Sequence, residues 1–152
     1  RDLHSFPTRR SSDLSGPHLH FEVRIGTNRY GSTYNPVLWM VPYVGHGVIA
    51  GRVTDDRGRP VNDISVTIRN RSTGQIEAAT TTYVFQGTAF EINPDPIWAE
   101  NFVVPDVSAG RYDVIATIDG QRVVRQVQVI EGTTAFVELK PLEPPTPTPD
   151  GG

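Results

Sequence analysis

The chain has 152 residues, with 14 Lys+Arg against 17 Asp+Glu and a formal net charge of −3. That balance removes the usual electrostatic case for nucleic acid or an anionic membrane, and the length allows one ordinary domain or a small domain with pieces attached. Cysteine is absent, which excludes disulfide staples, thiolate zinc sites and a cysteine nucleophile.

Residues 1–14, RDLHSFPTRRSSDL, match nothing that follows. No apolar core of about 7–15 residues follows their basic positions, so they are not a signal peptide. His4–Leu14 resembles the conceptual translation of a short-read sequencing adaptor. Residues 1–14 are therefore expected to be artefactual or disordered, with the natural protein extending upstream of Ser15. No apolar run approaches the roughly 18 residues of a membrane-spanning helix; the longest, Val37–Val41, stops at Pro42.

Residues 15–43 carry the chemistry. In a strand over His18–Ile25, His18, His20, Glu22 and Arg24 share one face, and Leu19, Phe21, Val23 and Ile25 share the other. The apolar face is expected to pin the strand to a core and fix its register. Two imidazoles then address one small site, where one can ligate a metal and the other can handle a proton. The bland alternative is two histidines on a solvated strand face with no shared task. Residues 44–46 read as a hinge around His46.

Residues 47–141 show short strands separated by turn signals, the all-β pattern of a two-sheet sandwich. Gly47–Thr54 comes first and ends in the turn Asp55–Pro60. Asp63–Arg71 alternates, with Ile64, Val66 and Ile68 on one side. Ser72-Thr73-Gly74 turns the chain into Gln75–Tyr83. Asn93-Pro94-Asp95-Pro96 cannot lie in a central strand, so an exposed turn or hairpin is expected there. Trp98 and Phe102 nearby either form a binding surface or pack the sandwich edge. Arg111–Ile118 places Tyr112, Val114, Ala116 and Ile118 on one face. Asp119-Gly120 is a strong hairpin signal, returning the chain through Gln121–Ile130 with Val123, Val127 and Val129 aligned. Thr133–Lys140 then presents Ala135, Val137 and Leu139. Asp55, Asp56 and Asp106 lack calcium-loop spacing and read as turn residues. Residues 142–152 are a Pro-rich linker.

Two family resemblances follow from these residues. GRVTDDRGRPVNDISVTIRN and FVVPDVSAGRYDVIAT, within 47–141, resemble the carboxypeptidase regulatory-like domain. That implies a transthyretin-like or Ig-like sandwich. SGPHLHFEVR, followed by Asn35-Pro36, resembles the C-terminal motif of the M23 peptidases, the zinc-dependent lysostaphin- and LytM-like peptidoglycan endopeptidases. The resemblance implies that His20 ligates zinc and that His18 acts beside it as general base or transition-state stabiliser. It makes Asn35-Pro36 structural and leaves Glu22 as a possible acceptor orienting His20. In such an enzyme the metal lowers the pKa of its bound water and polarises the scissile carbonyl.

The departure from the family is large. M23 enzymes take two further zinc ligands from an upstream H-x-x-x-D motif and another histidine from between the motifs, and residues 1–14 supply none of them. A catalytic zinc needs three protein ligands and an open position. The chain as given is therefore expected to be inactive, an M23 remnant over 15–43 joined to an accessory sandwich. Residues 15–43 are too few to bury a core alone, and either collapse onto the sandwich or remain disordered. The expected setting is extracytoplasmic, with peptidoglycan as partner, no nucleic acid, and further domains on both sides. Two alternatives stand: a non-catalytic M23-like regulator of another hydrolase, and a cell-envelope or carbohydrate-binding sandwich.

Overall fold

A computed structural model describes residues 21–83 and 92–142, and the described chain is all-β. Short strands β1 (Val23–Arg24) and β2 (Thr33–Tyr34) pair antiparallel as a small ribbon. The body is a sandwich. One sheet holds β3 (His46–Val53), β6 (Phe102–Ser108) and β9 (Thr134–Leu139) in the order β6-β3-β9. The other holds β4 (Ser65–Asn70), β5 (Ile76–Thr81), β7 (Gly110–Ile118) and β8 (Gln121–Val129) in the order β5-β4-β7-β8. All pairings are antiparallel except β3 with β9, which is parallel. No helix among the described residues is long and apolar enough to cross a membrane.

Alternation explains the core. Val66 and Ile68 of β4, the Tyr112, Val114, Ala116 and Ile118 row of β7, and Val123 and Val129 of β8 all point between the sheets and are buried. Val137 and Leu139 of β9 meet them from the opposite sheet, with Ile49 and Val53 of β3. Burying one such side chain contributes about 1.5–3 kcal/mol, and this row of them gives the sandwich its driving force. The Tyr112 hydroxyl donates to the Ser108 carbonyl at 2.8 Å, tying the start of β7 to the chain just before it. Tyrosine corners of Ig-like sandwiches make a similar backward bond.

Turns fall where their residues permit them. Asp119 and Gly120 both have positive φ, at 49° and 79°, as a tight hairpin between twisted strands requires. In the Asp55–Pro60 turn, one Asp55 oxygen accepts from the amides of Arg57 and Arg59 at 2.9 and 2.8 Å. The second accepts from the Arg59 guanidinium at 2.7 Å. The Arg59 amide is the foremost influence holding the Asp55 carboxyl below the usual carboxylate range. Asp55 is thus a turn residue, as its spacing implies.

Two features depart from the pattern. Strand β6 does not stand out by alternation, because Pro105 and Asp106 interrupt it. The β3–β6 register shifts between Gly47 and Ile49, and Asp106 there has φ 50°. This is a bulge on an edge strand, the place where proline and an unpaired residue are tolerated. Asp106 therefore lies within a strand, where its carboxylate accepts from the Tyr43 amide at 3.1 Å. Phe102 is fully buried in the core and forms no part of a surface.

Gly51, the glycine of the G-x-V motif, has a physical reason. A Cβ there would stand 2.4 Å from the Phe102 ring and 2.5 Å from the Val137 carbonyl oxygen. Gly51→Ala is expected to destabilise the sandwich by about 1–3 kcal/mol through overpacking, read as a lower midpoint in urea denaturation.

Candidate functional site

The expected catalytic and metal residues, His18 and His20, lie outside the described residues. Glu22 is described, and its Oε2 accepts from the Arg24 Nε at 2.9 Å. Arg24 also donates to the Asn28 side chain at 2.7 Å. Glu22 and Arg24 thus share one face, as alternation requires. On the opposite, apolar face Phe21 is 59% and Ile25 48% exposed, Val23 is half-buried, and Leu19 lies outside the described residues, so the described part is not pinned to a core. The reason is local, since the β1–β2 ribbon has no covering sheet among the described residues. No group of three or more His, Cys, Asp or Glu stands together there that could hold a metal ion. The described donors therefore do not make a zinc site, and no catalytic step through zinc follows from them. His46 is occupied elsewhere, with Nδ1 3.0 Å from the Val44 carbonyl and Nε2 3.2 Å from the Ser108 hydroxyl.

What the structure does build is a junction between the histidine-bearing segment and the sandwich. Asn35 caps a short 3₁₀ turn over Pro36–Trp39, its side-chain oxygen accepting from the Val37 amide at 3.1 Å. Proline suits the first position of such a turn because its missing N–H is not needed there. The Asn35-Pro36 pair thus has the structural role expected of it. The turn seats Val37 and Leu38, beside Trp98, on Val48, Ala50 and Val103 of the outer face of the β6-β3-β9 sheet. The Asn35–Trp39 part of segment 15–43 is thus packed onto the sandwich. Trp39 packs edge-on against Tyr34, with ring centroids 5.8 Å apart.

Residues 44–46, expected as a hinge, are tied down at several points. The Gly45 amide donates to the Glu131 carboxylate at 2.8 Å, and the Ala109 amide donates to the Gly45 carbonyl at 2.8 Å. His46 begins β3 itself.

The loop 92–101 supplies the other half of the junction. The Asn93 amide donates to the Thr33 carbonyl at 2.7 Å, and its side chain donates to the carbonyls of Gly31 and Thr33 at 2.9 and 3.0 Å. Asp95 caps the following turn by accepting from the amides of Ile97 and Trp98. The turn itself falls on 96–98, while Asn93–Asp95, expected as part of an exposed turn, are half-buried against β2, with Asn93 bridged to Tyr34. Trp98 then lies over the sheet and packs on Phe136 with ring centroids 5.9 Å apart.

Beneath that loop sit two buried polar residues that sequence patterning does not single out, Glu100 and Asn101. The Asn101 side chain accepts from the Val53 amide at 2.8 Å and donates to the carbonyls of Val53 and Val61, each at 3.0 Å. It closes the end of β3 against the first turn. The Glu100 carboxylate accepts from the Tyr83 hydroxyl at 3.0 Å and from the Asp95 amide at 2.7 Å. Tyr83 also lies within a long contact of Asn35, at 3.5 Å. Burial pushes the Glu100 carboxyl above its ordinary range, against the lowering effect of those two donors. Burial foremost, with the Glu100 charge second, pushes the Tyr83 phenol up. The signal available in the sequence was polarity after an apolar turn, E-N before F-V-V, which by itself says nothing of burial.

No protein-family model matches the chain, and no curated protein matches it. Among solved structures, a proposed carbohydrate-binding protein of Pseudomonas aeruginosa is similar over 68% of this chain and 93% of its own. The two are 16% identical with a TM-score of 0.37. The likeness is too distant to assign a shared fold or activity.

Ala99, between the Asp95 turn and Glu100, has φ 49°. That conformation costs a side chain about 1 kcal/mol and is free to glycine. Ala99→Gly is expected to stabilise the protein by no more than about 0.6 kcal/mol in thermal unfolding, because glycine's greater freedom in the unfolded chain offsets much of the roughly 1 kcal/mol gained.

Proposed function

We propose that this chain is a non-catalytic, extracytoplasmic β-sandwich module of a bacterial cell-wall hydrolase. It carries on its outer sheet the C-terminal end of an M23-like zinc endopeptidase and contacts the peptidoglycan that such an enzyme cuts. The observation that carries this reading is the seating of the Asn35–Trp39 turn on Val48, Ala50 and Val103. The segment that follows the His18-x-His20 motif is packed against the sandwich rather than tethered by a loose linker. A sandwich in that position orients the peptidase end relative to whatever the module touches. The motif SGPHLHFEVR supports the M23 origin of the segment. Within residues 1–152 the motif offers one candidate ligand, His20, and one neighbour, His18, and these two alone do not make a catalytic zinc.

The alternative of a carbohydrate-binding module has one specific observation in its favour. Phe136 projects from the outer sheet beside Trp98 and is 38% exposed, and Arg52 and Glu138 form an ion pair on the neighbouring register positions. An exposed Phe136 ring, backed by the partly buried Trp98 and next to polar groups, offers both an apolar face and hydrogen bonds to a ring of mixed polarity. In this account that surface is where the module meets the wall, so the two readings share one test.

The full chain, incubated with purified peptidoglycan sacculi, is expected to sediment with them. It is expected to release no soluble fragments, with or without added zinc. Phe136→Ala is expected to reduce the sedimented fraction several-fold while leaving the far-ultraviolet circular dichroism unchanged. Zinc-dependent release of fragments would contradict the non-catalytic reading, and failure to sediment would leave the sandwich as a spacer.

A further inference from the structure

The Glu100 carboxylate bonds Tyr83 directly and its own loop at Asp95, and through that loop it is linked to the segment around Thr33. Its Oε1 is held by Tyr83, just after β5, and its Oε2 by the Asp95 amide in the loop. Two residues before Asp95, Asn93 grips the carbonyls of Gly31 and Thr33 on the histidine-bearing segment. Glu100 therefore fixes the loop, and the loop fixes the segment. Asn35, which caps the seated turn, reaches Tyr83 from the other side. A buried carboxylate usually has a cation beside it, because leaving its charge unpaired in a low-dielectric site is costly. Among the described residues no ion pair reaches Glu100. The titratable groups that face it are Tyr83 and Asp95, and the Asp95 charge has the same sign and opposes ionisation.

We propose that Glu100 is the proton-responsive pin of this clasp. With its carboxyl protonated, residues 31–39 stay seated on the outer sheet; with it ionised, the 93–98 loop and the seated segment loosen together. The sign follows from burial. In the open state Glu100 meets water and titrates near its ordinary 4.5, while in the closed state burial raises that value. A group raised in the closed state stabilises closure fully below its open-state value, and the contribution is lost as pH rises through the closed-state value. The clasp therefore tightens with acid. This inference does not rest on the cell-wall reading. Loss of sacculus binding would leave the titration in place, and a flat titration would leave sacculus binding in place.

The test is amide hydrogen exchange on the full chain across pH 4.5 to 8, corrected for intrinsic exchange and followed at Asn93, Asp95 and Val37–Met40. In the natural sequence, protection is expected to fall as pH rises, by about tenfold for each unit separating the closed-state and open-state values. In Glu100→Gln, which keeps the shape and removes the charge, it is expected to be flat over the same window. A flat profile in the natural sequence, or an unchanged fall in Glu100→Gln, would overturn the proposal. Should Glu100→Gln fail to fold by circular dichroism, Tyr83→Phe decides. Removing a donor that favours the ionised carboxylate is expected to move the midpoint to higher pH, and an unmoved midpoint would overturn the proposal.

Discussion

The central strand β3 has to bury both of its faces. On the inner side Ile49 and Val53 enter the core between the sheets, and on the outer side Val48 and Ala50 are equally shielded from water. A sandwich strand normally needs only its inner face covered and leaves the other polar. Here the run Val48-Ile49-Ala50 is continuously apolar, so something beyond the two sheets must cover it. The cover comes from Val37 and Leu38 on one side and Trp98 on the other. Much of the remaining architecture answers that requirement. The Asn35 cap shapes the turn that delivers Val37 and Leu38, and the Asp95 cap shapes the loop that delivers Trp98. Asn93 and Glu100 then bind the two pieces to each other and to the sandwich.

That arrangement changes what the junction means for function. Under the proposed function, a flexible linker would let a peptidase end and an accessory module explore many relative orientations. A seated turn, with hydrogen bonds to the sandwich from Tyr43 and Gly45, removes much of that freedom. Stability of the seat comes mainly from the apolar contacts, since exposed hydrogen bonds contribute only about 0.5–1.5 kcal/mol net. Polar groups set its geometry and, through Glu100, its response to protons. The pattern of a buried, satisfied network deciding which arrangement wins is a general use of such groups.

Much of the sandwich was readable in the sequence, because alternation and turn chemistry are local. The β7 row Tyr112, Val114, Ala116 and Ile118 and the Asp119-Gly120 turn follow from spacing and from tolerance of positive φ. Strand β6 was not readable in the same way, since Pro105 and the bulge at Asp106 break the period that marks a strand. The sequence left Phe102 open between a binding surface and packing at the sandwich edge; it packs, and its burial depends on Gly51 leaving room for its ring. Glu100 and Asn101 escaped notice for another reason. Their burial is imposed by partners far away in sequence, Val53 and Val61 for Asn101 and Tyr83 for Glu100. At the histidines the motif carries the chemical information, and the described residues neither add to nor subtract from it.

The central claim is that the segment following the histidine motif is packed on the outer face of the sandwich. Methyl-labelled nuclear magnetic resonance tests it most directly, through nuclear Overhauser contacts from Val37 and Leu38 to Val48 and Val103. The account predicts cross-peaks between these methyl groups of strength comparable to those within the core, such as Ile68 to Val114. Core cross-peaks with none from Val37 or Leu38 would contradict it.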